Sequence, residues 1–243
     1  ADSGYQLTAQ KVKDLTDPID GLIIASPANP TGSIIPQAEL SEIVAYCEQK
    51  GIRIVSDEIY DRITYTGAVA SVSALTDKAA IINSFSKFYM MPGWRLGWAL
   101  MPEALSSIAH AYMSNFFLTP PSLSQEAGLA AFSCTEELQA QVDVYARNRT
   151  QLLEALPAMG ITDIAPPDGA FYIYGRVDQW TDDSRDFCMK LLEDTGVATA
   201  SGVDFDPVDG HRFMRLSFAV QEHEVAEAAD RLSAWLSQQP RIR

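Results

Sequence analysis

The stretch Ile81–Leu100, IINSFSKFYMMPGWRLGWAL, constrains the fold more than any other part of the chain. An apolar run from Ala79 to Phe85 reads as a buried strand. It breaks into a polar turn, Ser84-Phe85-Ser86-Lys87, and Pro92-Gly93 punctuates the chain again before Arg95. Leu96 to Met101 reads as a second buried strand. Two hydroxyls, a lysine and an arginine therefore stand where strands stop, and in open α/β sheets ligands bind beyond the carboxyl ends of strands.

The flanking sequence supplies more strand ends of the same kind. Gly21-Leu22-Ile23-Ile24-Ala25 is a short apolar run, read as a buried strand, that stops at a loop prescribed by two prolines and a glycine, Ser26-Pro27-Ala28-Asn29-Pro30-Thr31-Gly32. Pro36 suits the first turn of a helix. Leu40, Ile43, Val44 and Cys47 recur at helical spacing, and Gly51 supplies the stop. Ile52 to Val55 is the next strand and runs into Ser56-Asp57-Glu58-Ile59-Tyr60. Strand, helix and strand with short connections predict right-handed crossovers and a mainly parallel sheet.

Beyond Met101 the pattern changes. A helix opening at Glu103 carries Leu105, Ile108, Ala109, Tyr112, Met113 and Phe116 along one face and ends before Pro120-Pro121. Helical segments follow at Ser122 to Phe132 and, longer, at roughly Glu136 to Met159. Strands at Ala170 to Tyr174, Val197 to Ala200 and Phe213 to Phe218 then alternate with helices at Ser184 to Asp194 and Glu222 to Ser237. This predicts an α/β architecture in two parts: residues 1–145 with the mainly parallel sheet, and a small α+β domain at 146–243.

The formal net charge of −14 argues against nucleic acid or an anionic membrane as partner. Cys47, Cys134 and Cys188 are scattered, with neither metal-type spacing nor a disulfide framework, which points to a reducing cytoplasm. Nothing resembles a signal peptide or a membrane span. His110, His211 and His223 do not cluster with the cysteines, so no metal site is expected.

The strand ends offer Asn29, Asp57 with Tyr60, Ser84, Ser86, Lys87 and Arg95 to one rim. A lysine amine can form a Schiff base with a carbonyl. Serine hydroxyls and a guanidinium fork suit a phosphate, and a buried aspartate can keep a ring nitrogen protonated. An aldehyde, a phosphate, a pyridine nitrogen and a phenolic oxygen are what pyridoxal 5′-phosphate presents. Taken alone, each of these residues has a blander reading: Ser-x-Ser-Lys as a solvated turn, Asp57 as a turn former, Arg215 as a surface ion pair. Phe171, Tyr172, Trp94 and Trp98 read as packing, and Tyr89 has no arguable role.

SPANPTG at 26–32, SDEIYDRITY at 56–65, SFSKFYMMPGWRLGW at 84–98, DGAFY at 168–172 and RLSF at 215–218 resemble, in order and approximate spacing, the signature blocks of class I/II aminotransferases. That family is pyridoxal-phosphate dependent and has fold type I. The resemblance implies that the chain comprises the C-terminal part of a large cofactor domain plus a small C-terminal domain. It implies Lys87 as the Schiff-base lysine and proton shuttle, Asp57 as partner of the pyridinium nitrogen, and Asn29 and Tyr60 on the phenolic oxygen. Ser84, Ser86 and Arg95 would hold the phosphate, Arg215 and Asn29 the substrate, and the Asn29-Pro30 bond would be cis.

The implied activity exchanges an amino group between an L-amino acid and a 2-oxo acid, in a homodimer. The same residues also suit a carbon–sulfur lyase or a non-catalytic sensor domain of a regulator. No second arginine stands out for a side-chain carboxylate. Family members begin upstream of where this chain starts, with a phosphate-binding turn and a ring-stacking aromatic. The further expectation is therefore a chain that lacks its N-terminal part and has little transaminase activity by itself.

Overall fold

The computed structural model describes residues 4–242, which fold into two compact units. One contains Gln6–Ala28 and Ile34–Ala140. The other gathers Gly4 and Tyr5, Asn29–Ser33 and 141–242.

In the first unit a short helix, α1 (Ala9–Lys13), precedes β1 (Gly21–Ala25), α2 (Gln37–Lys50), β2 (Arg53–Asp57), β3 (Ala80–Ser84) and β4 (Gly97–Leu100). The strands form one sheet in the order β1-β2-β3-β4. The first two pairings are parallel, with Ile23 opposite Val55 and Ser56 opposite Ile81. β3 and β4 pair antiparallel, because the link 85–96 holds only a 3-10 turn at Pro92–Trp94 and the chain returns alongside itself.

The core lies on one face of this sheet. Ile24, Ile54 and Ile81 pack with Leu40, Ile43, Val44 and Cys47 of α2 and with Ala9 and Val12 of α1. α2 stops where Gly51 turns left-handed at φ 72° and donates its N–H to the Cys47 and Glu48 carbonyls. The sequence reading of β1 and of the strand after Arg95 as buried needs correction. Side chains alternate across a strand, and the opposite face is open: Ile23 is 78% exposed, and Ile82 and Leu100 are exposed with it.

In α3 (Glu103–Phe116), whose apolar residues share one face by their spacing, no residue is buried. α4 (Ser122–Ala131) packs so closely that a Cβ at Gly128 would lie 2.6 Å from Leu96 Cδ2 and 3.3 Å from the Phe85 ring.

The boundary between the units falls inside α5 (Thr135–Met159). The second unit continues with β5 (Tyr172–Arg176), α6 (Ser184–Thr195), β6 (Ala200–Ser201), β7 (Phe213–Ser217) and α7 (Glu222–Leu236). Its antiparallel sheet runs β5-β7-β6. Two predicted strands shift. Ala170 is left-handed at φ 55°, so β5 starts at Tyr172. β6 is two residues long, because Ser201 caps the next 3-10 turn, Gly202–Asp204. Ile173, Met214, Leu156, Leu191 and Leu232 are fully buried in this unit. Asn148, itself buried in α5, fastens the end of β7 by donating to the Phe218 and Val220 carbonyls. No described helix is long and apolar enough to cross a membrane.

Candidate active site

Six of the eight expected site residues belong to the first unit, at the carboxyl ends of β2 and β3 and just beyond. Asp57 closes β2, and its Oδ1 accepts the Ile59 N–H at 3.1 Å, which turns the chain toward Tyr60. Tyr60 is buried, and the Lys87 ammonium stands 5.4 Å from the centre of its ring. No cation of its unit lies within ion-pair distance of the Asp57 carboxylate.

Ser84 ends β3. Its hydroxyl accepts the Ser86 N–H at 3.0 Å and lies within donating distance of Ser86 Oγ (2.9 Å) and the Leu96 carbonyl (3.2 Å). The turn that carries Lys87 is closed by backbone bonds from Met90 N–H to the Lys87 carbonyl and from Met91 N–H to the Phe85 carbonyl. Arg95 is left-handed at φ 52° and donates Nη1 to the Pro92 carbonyl at 2.9 Å. Two hydroxyls and a guanidinium thus flank the lysine turn.

Beneath that turn lies an aromatic cluster. Phe85 meets Tyr89, Trp98 and Phe132 at centroid distances of 4.8, 5.1 and 5.4 Å. Tyr89 therefore has a packing role, and its hydroxyl accepts from Arg62 Nη1 at 3.0 Å. Gly97 is required opposite Ser84, since a Cβ there would lie 2.8 Å from the Asn83 carbonyl.

The remaining two residues, Asn29 and Arg215, meet within the second unit. Asn29-Pro30 is cis, and in the first unit Ser26-Pro27 is cis as well. The NPTG segment is fastened to the DGAFY turn: Gly169 N–H donates to the Gly32 carbonyl at 2.8 Å. A Cβ at Gly32 would meet the Gly169 and Tyr172 carbonyls at 2.9 and 3.0 Å. This docking brings Asn29 to Arg215, whose Nη1 donates to Asn29 Oδ1 at 2.7 Å.

The Arg215 guanidinium carbon stands 4.3 Å from the Tyr172 ring centre and 4.6 Å from that of Phe205. Its Nε is buried without an acceptor, and no carboxylate of its unit pairs with it. A cation held over two rings with unused donors is suited to a planar carboxylate ligand.

Sequence reasoning missed Phe205, which stands three residues after Gly202 and ten before Arg215, and it missed the Asn83–Asp61 pair behind the lysine turn. The glycines at 202 and 210 that bracket Phe205 were the available signal. For the pair, the run of acidic residues after β2 was too ordinary a pattern to single out.

The family model for aminotransferase class I and II matches residues 1–232. The chain belongs to that family. Valine–pyruvate aminotransferase of Mycobacterium tuberculosis is 44% identical over 239 residues, which is 97% of this chain and 62% of that protein. The crystal structure of an aminotransferase from Mycobacterium tuberculosis superposes with a TM-score of 0.95 at 43% identity, over 98% of this chain and 62% of that one. That of aspartate aminotransferase from Thermotoga maritima gives 0.87 at 28% identity, over 98% and 62%. The chain therefore spans about 62% of the length of the relatives it matches. Its α/β fold is that of fold type I aminotransferases.

The family depends on pyridoxal phosphate, and the residues present fit that group. A carboxylate with no cation of its own unit within ion-pair distance closes β2, and a serine pair with an arginine flanks the turn bearing Lys87. Among the described residues no cluster suits a metal ion.

Proposed function

We propose that the protein transfers an amino group between an L-amino acid and a 2-oxo acid, using pyridoxal phosphate. When bound, that group supplies an aldehyde for covalent attachment of an amine and an electron sink for charge developing at the substrate Cα. Ser84, Ser86 and Arg95 would hold its phosphate, and Asp57 would hold a proton on its ring nitrogen. Tyr60 and Asn29 would donate to its phenolic oxygen. Lys87 Nζ would move a proton between the substrate Cα and the carbon that bears the cofactor's aldehyde. Arg215 would bind the carboxylate shared by both substrates.

The observation that carries this reading is Arg215, a guanidinium held by Asn29, Tyr172 and Phe205 with no carboxylate of its own unit to neutralise it. Identity of 44% to a valine–pyruvate aminotransferase supports an apolar L-amino acid as donor and pyruvate as acceptor. A homodimer in the cytoplasm completes the reading, in keeping with three free cysteines and an acidic chain.

The test is to incubate the protein with pyridoxal phosphate, reduce with borohydride, and map the modified peptide. An adduct on Lys87, absent in Lys87→Ala, is expected, with only slow alanine formation from pyruvate and valine by the 243-residue chain itself. Absence of the adduct would overturn the proposal. Release of ammonia without need of a 2-oxo acid would replace transfer by a lyase reaction. Sedimentation at several concentrations tests the dimer.

A further inference from the structure

The loop between β6 and β7 is built with more precision than a surface connection needs. Gly202 and Gly210 face each other so closely that a Cβ on either would lie 2.3 Å from the carbonyl oxygen of the other. At Gly202 that Cβ would also meet Tyr174 Oη at 2.7 Å and the Phe213 carbonyl at 2.8 Å. Between the glycines every turn is tied. Phe205 N–H and Asp206 N–H both donate to the Gly202 carbonyl, at 3.0 and 2.9 Å, and Gly210 N–H donates to the Asp206 carbonyl at 3.1 Å. Asp206 Oδ1 accepts from Val208 and Asp209 N–H, at 2.8 and 3.2 Å. Buried Ser184 donates to the Gly210 carbonyl at 2.9 Å and pairs with Ser201 Oγ at 2.8 Å, locking the loop to α6.

This scaffold holds one aromatic side chain over Arg215. A guanidinium over a ring is attracted through the ring face, which restricts it to orientations with its N–H edges pointing away from that face. Arg215 then keeps one donor on Asn29, and the plane of the rest is set by Tyr172 and Phe205. A bidentate carboxylate needs that plane fixed, because both N–H···O bonds must form together.

We propose that Phe205 is a positioning residue for carboxylate recognition: its ring, fixed by the Gly202–Gly210 contact, orients the Arg215 guanidinium before substrate arrives. The inference rests on the reading of Arg215 as the carboxylate site. Tyr172, within the sheet, supplies a ring as part of the fold. Phe205 is supplied by a loop and also packs against the Ala165, Tyr174 and Phe213 cluster, so its ring-less variants separate that packing from the orientation of Arg215.

The experiment is calorimetric titration of the protein with pyruvate as probe, for wild type, Phe205→Leu, Phe205→Met, Phe205→Tyr and Arg215→Lys, with thermal melting of each. Phe205→Leu and Phe205→Met keep apolar volume without a ring face, and the expected result is pyruvate binding weakened roughly three- to thirtyfold. Phe205→Tyr keeps the face and is expected to bind as wild type does, which a role in packing alone would not require. Wild-type affinity in whichever ring-less variant melts normally, with Arg215→Lys weakened, overturns the proposal and leaves the function standing. Unchanged affinity in Arg215→Lys, or no pyruvate binding by wild type, removes both.

Discussion

The side-chain amide of Asn83 donates to Asp61 Oδ2 across 3.1 Å, while its oxygen accepts the Ser84 N–H at 2.8 Å. One buried amide thus ties the loop after β2 to the first residue of the lysine turn. Replacing Asn83 by Ala strands two polar groups at once, and each buried group left unpaired costs about 1–3 kcal/mol. The expected outcome is a loss of about 2–4 kcal/mol in urea unfolding, together with weaker retention of pyridoxal phosphate because Ser84 loses its anchor. Asn83→Asp keeps an acceptor for Ser84 but sets a second carboxylate against Asp61. It should therefore rescue only under acid conditions.

The same pair predicts a pH dependence. Burial pushes the Asp61 carboxyl above its ordinary value; the Asn83 amide pulls it down, and nearby Glu58 pushes it up again. Folding then favours the protonated form, so the folded state binds more protons than the unfolded chain between the two pKa values. Stability from this group is fully present below the unfolded pKa and falls as pH rises through the folded one. Melting temperature against pH should drop in that window for wild type and be flatter for Asp61→Asn, which keeps an acceptor for Asn83. Parallel curves would exclude Asp61 as the source.

What the sequence made legible was the part that local chemistry determines. Apolar runs at Gly21, Ile52 and Ala79 located the parallel strands. The motif blocks named Asp57, Ser84, Ser86 and Lys87, which the fold sets at or just past the ends of β2 and β3, and Arg95, which it sets two residues before β4. The DGAFY and NPTG blocks gave no hint of their mutual docking through Gly32 and Gly169, because the contact joins residues far apart in the chain. Which face of a strand is covered was equally hidden: Ile23 and Ile24 are alike as residues, and only tertiary packing makes one exposed and the other core. Phe205 escaped for the same reason, since its partner lies across a loop closed by two glycines.

Glycines 202 and 51 offer a paired test of backbone contact against backbone conformation. At Gly51 a Cβ would meet nothing within 4 Å, and only the left-handed φ of 72° penalises Ala. Gly51→Ala should therefore cost about 1–2 kcal/mol. Gly202→Ala drives a methyl into two carbonyls and the Tyr174 hydroxyl. That overpacking should cost about 3 kcal/mol or more and weaken pyruvate binding as well, because Phe205 is carried by the same turn. Equal urea midpoints for the two variants would contradict the contact argument.

The exposed face of α3 yields the last prediction. Tyr112 and Phe116 stack at 5.5 Å in the open, Phe116 is 71% exposed, and Leu118 just beyond is 80% exposed. Ile108, Met113 and Phe117 are also exposed and extend the patch. A contiguous apolar surface of this kind is where a soluble protein associates with something. The 243-residue chain should therefore bind an apolar dye such as ANS in its folded state and sediment faster as concentration rises. Because no residue of α3 is buried, polar replacements there remove no core contact. Phe116→Lys combined with Leu118→Lys should abolish most dye binding and self-association while leaving the urea midpoint within about 0.5 kcal/mol of wild type. Unfolding of the double variant at much lower urea would mean that the helix is held through this face after all.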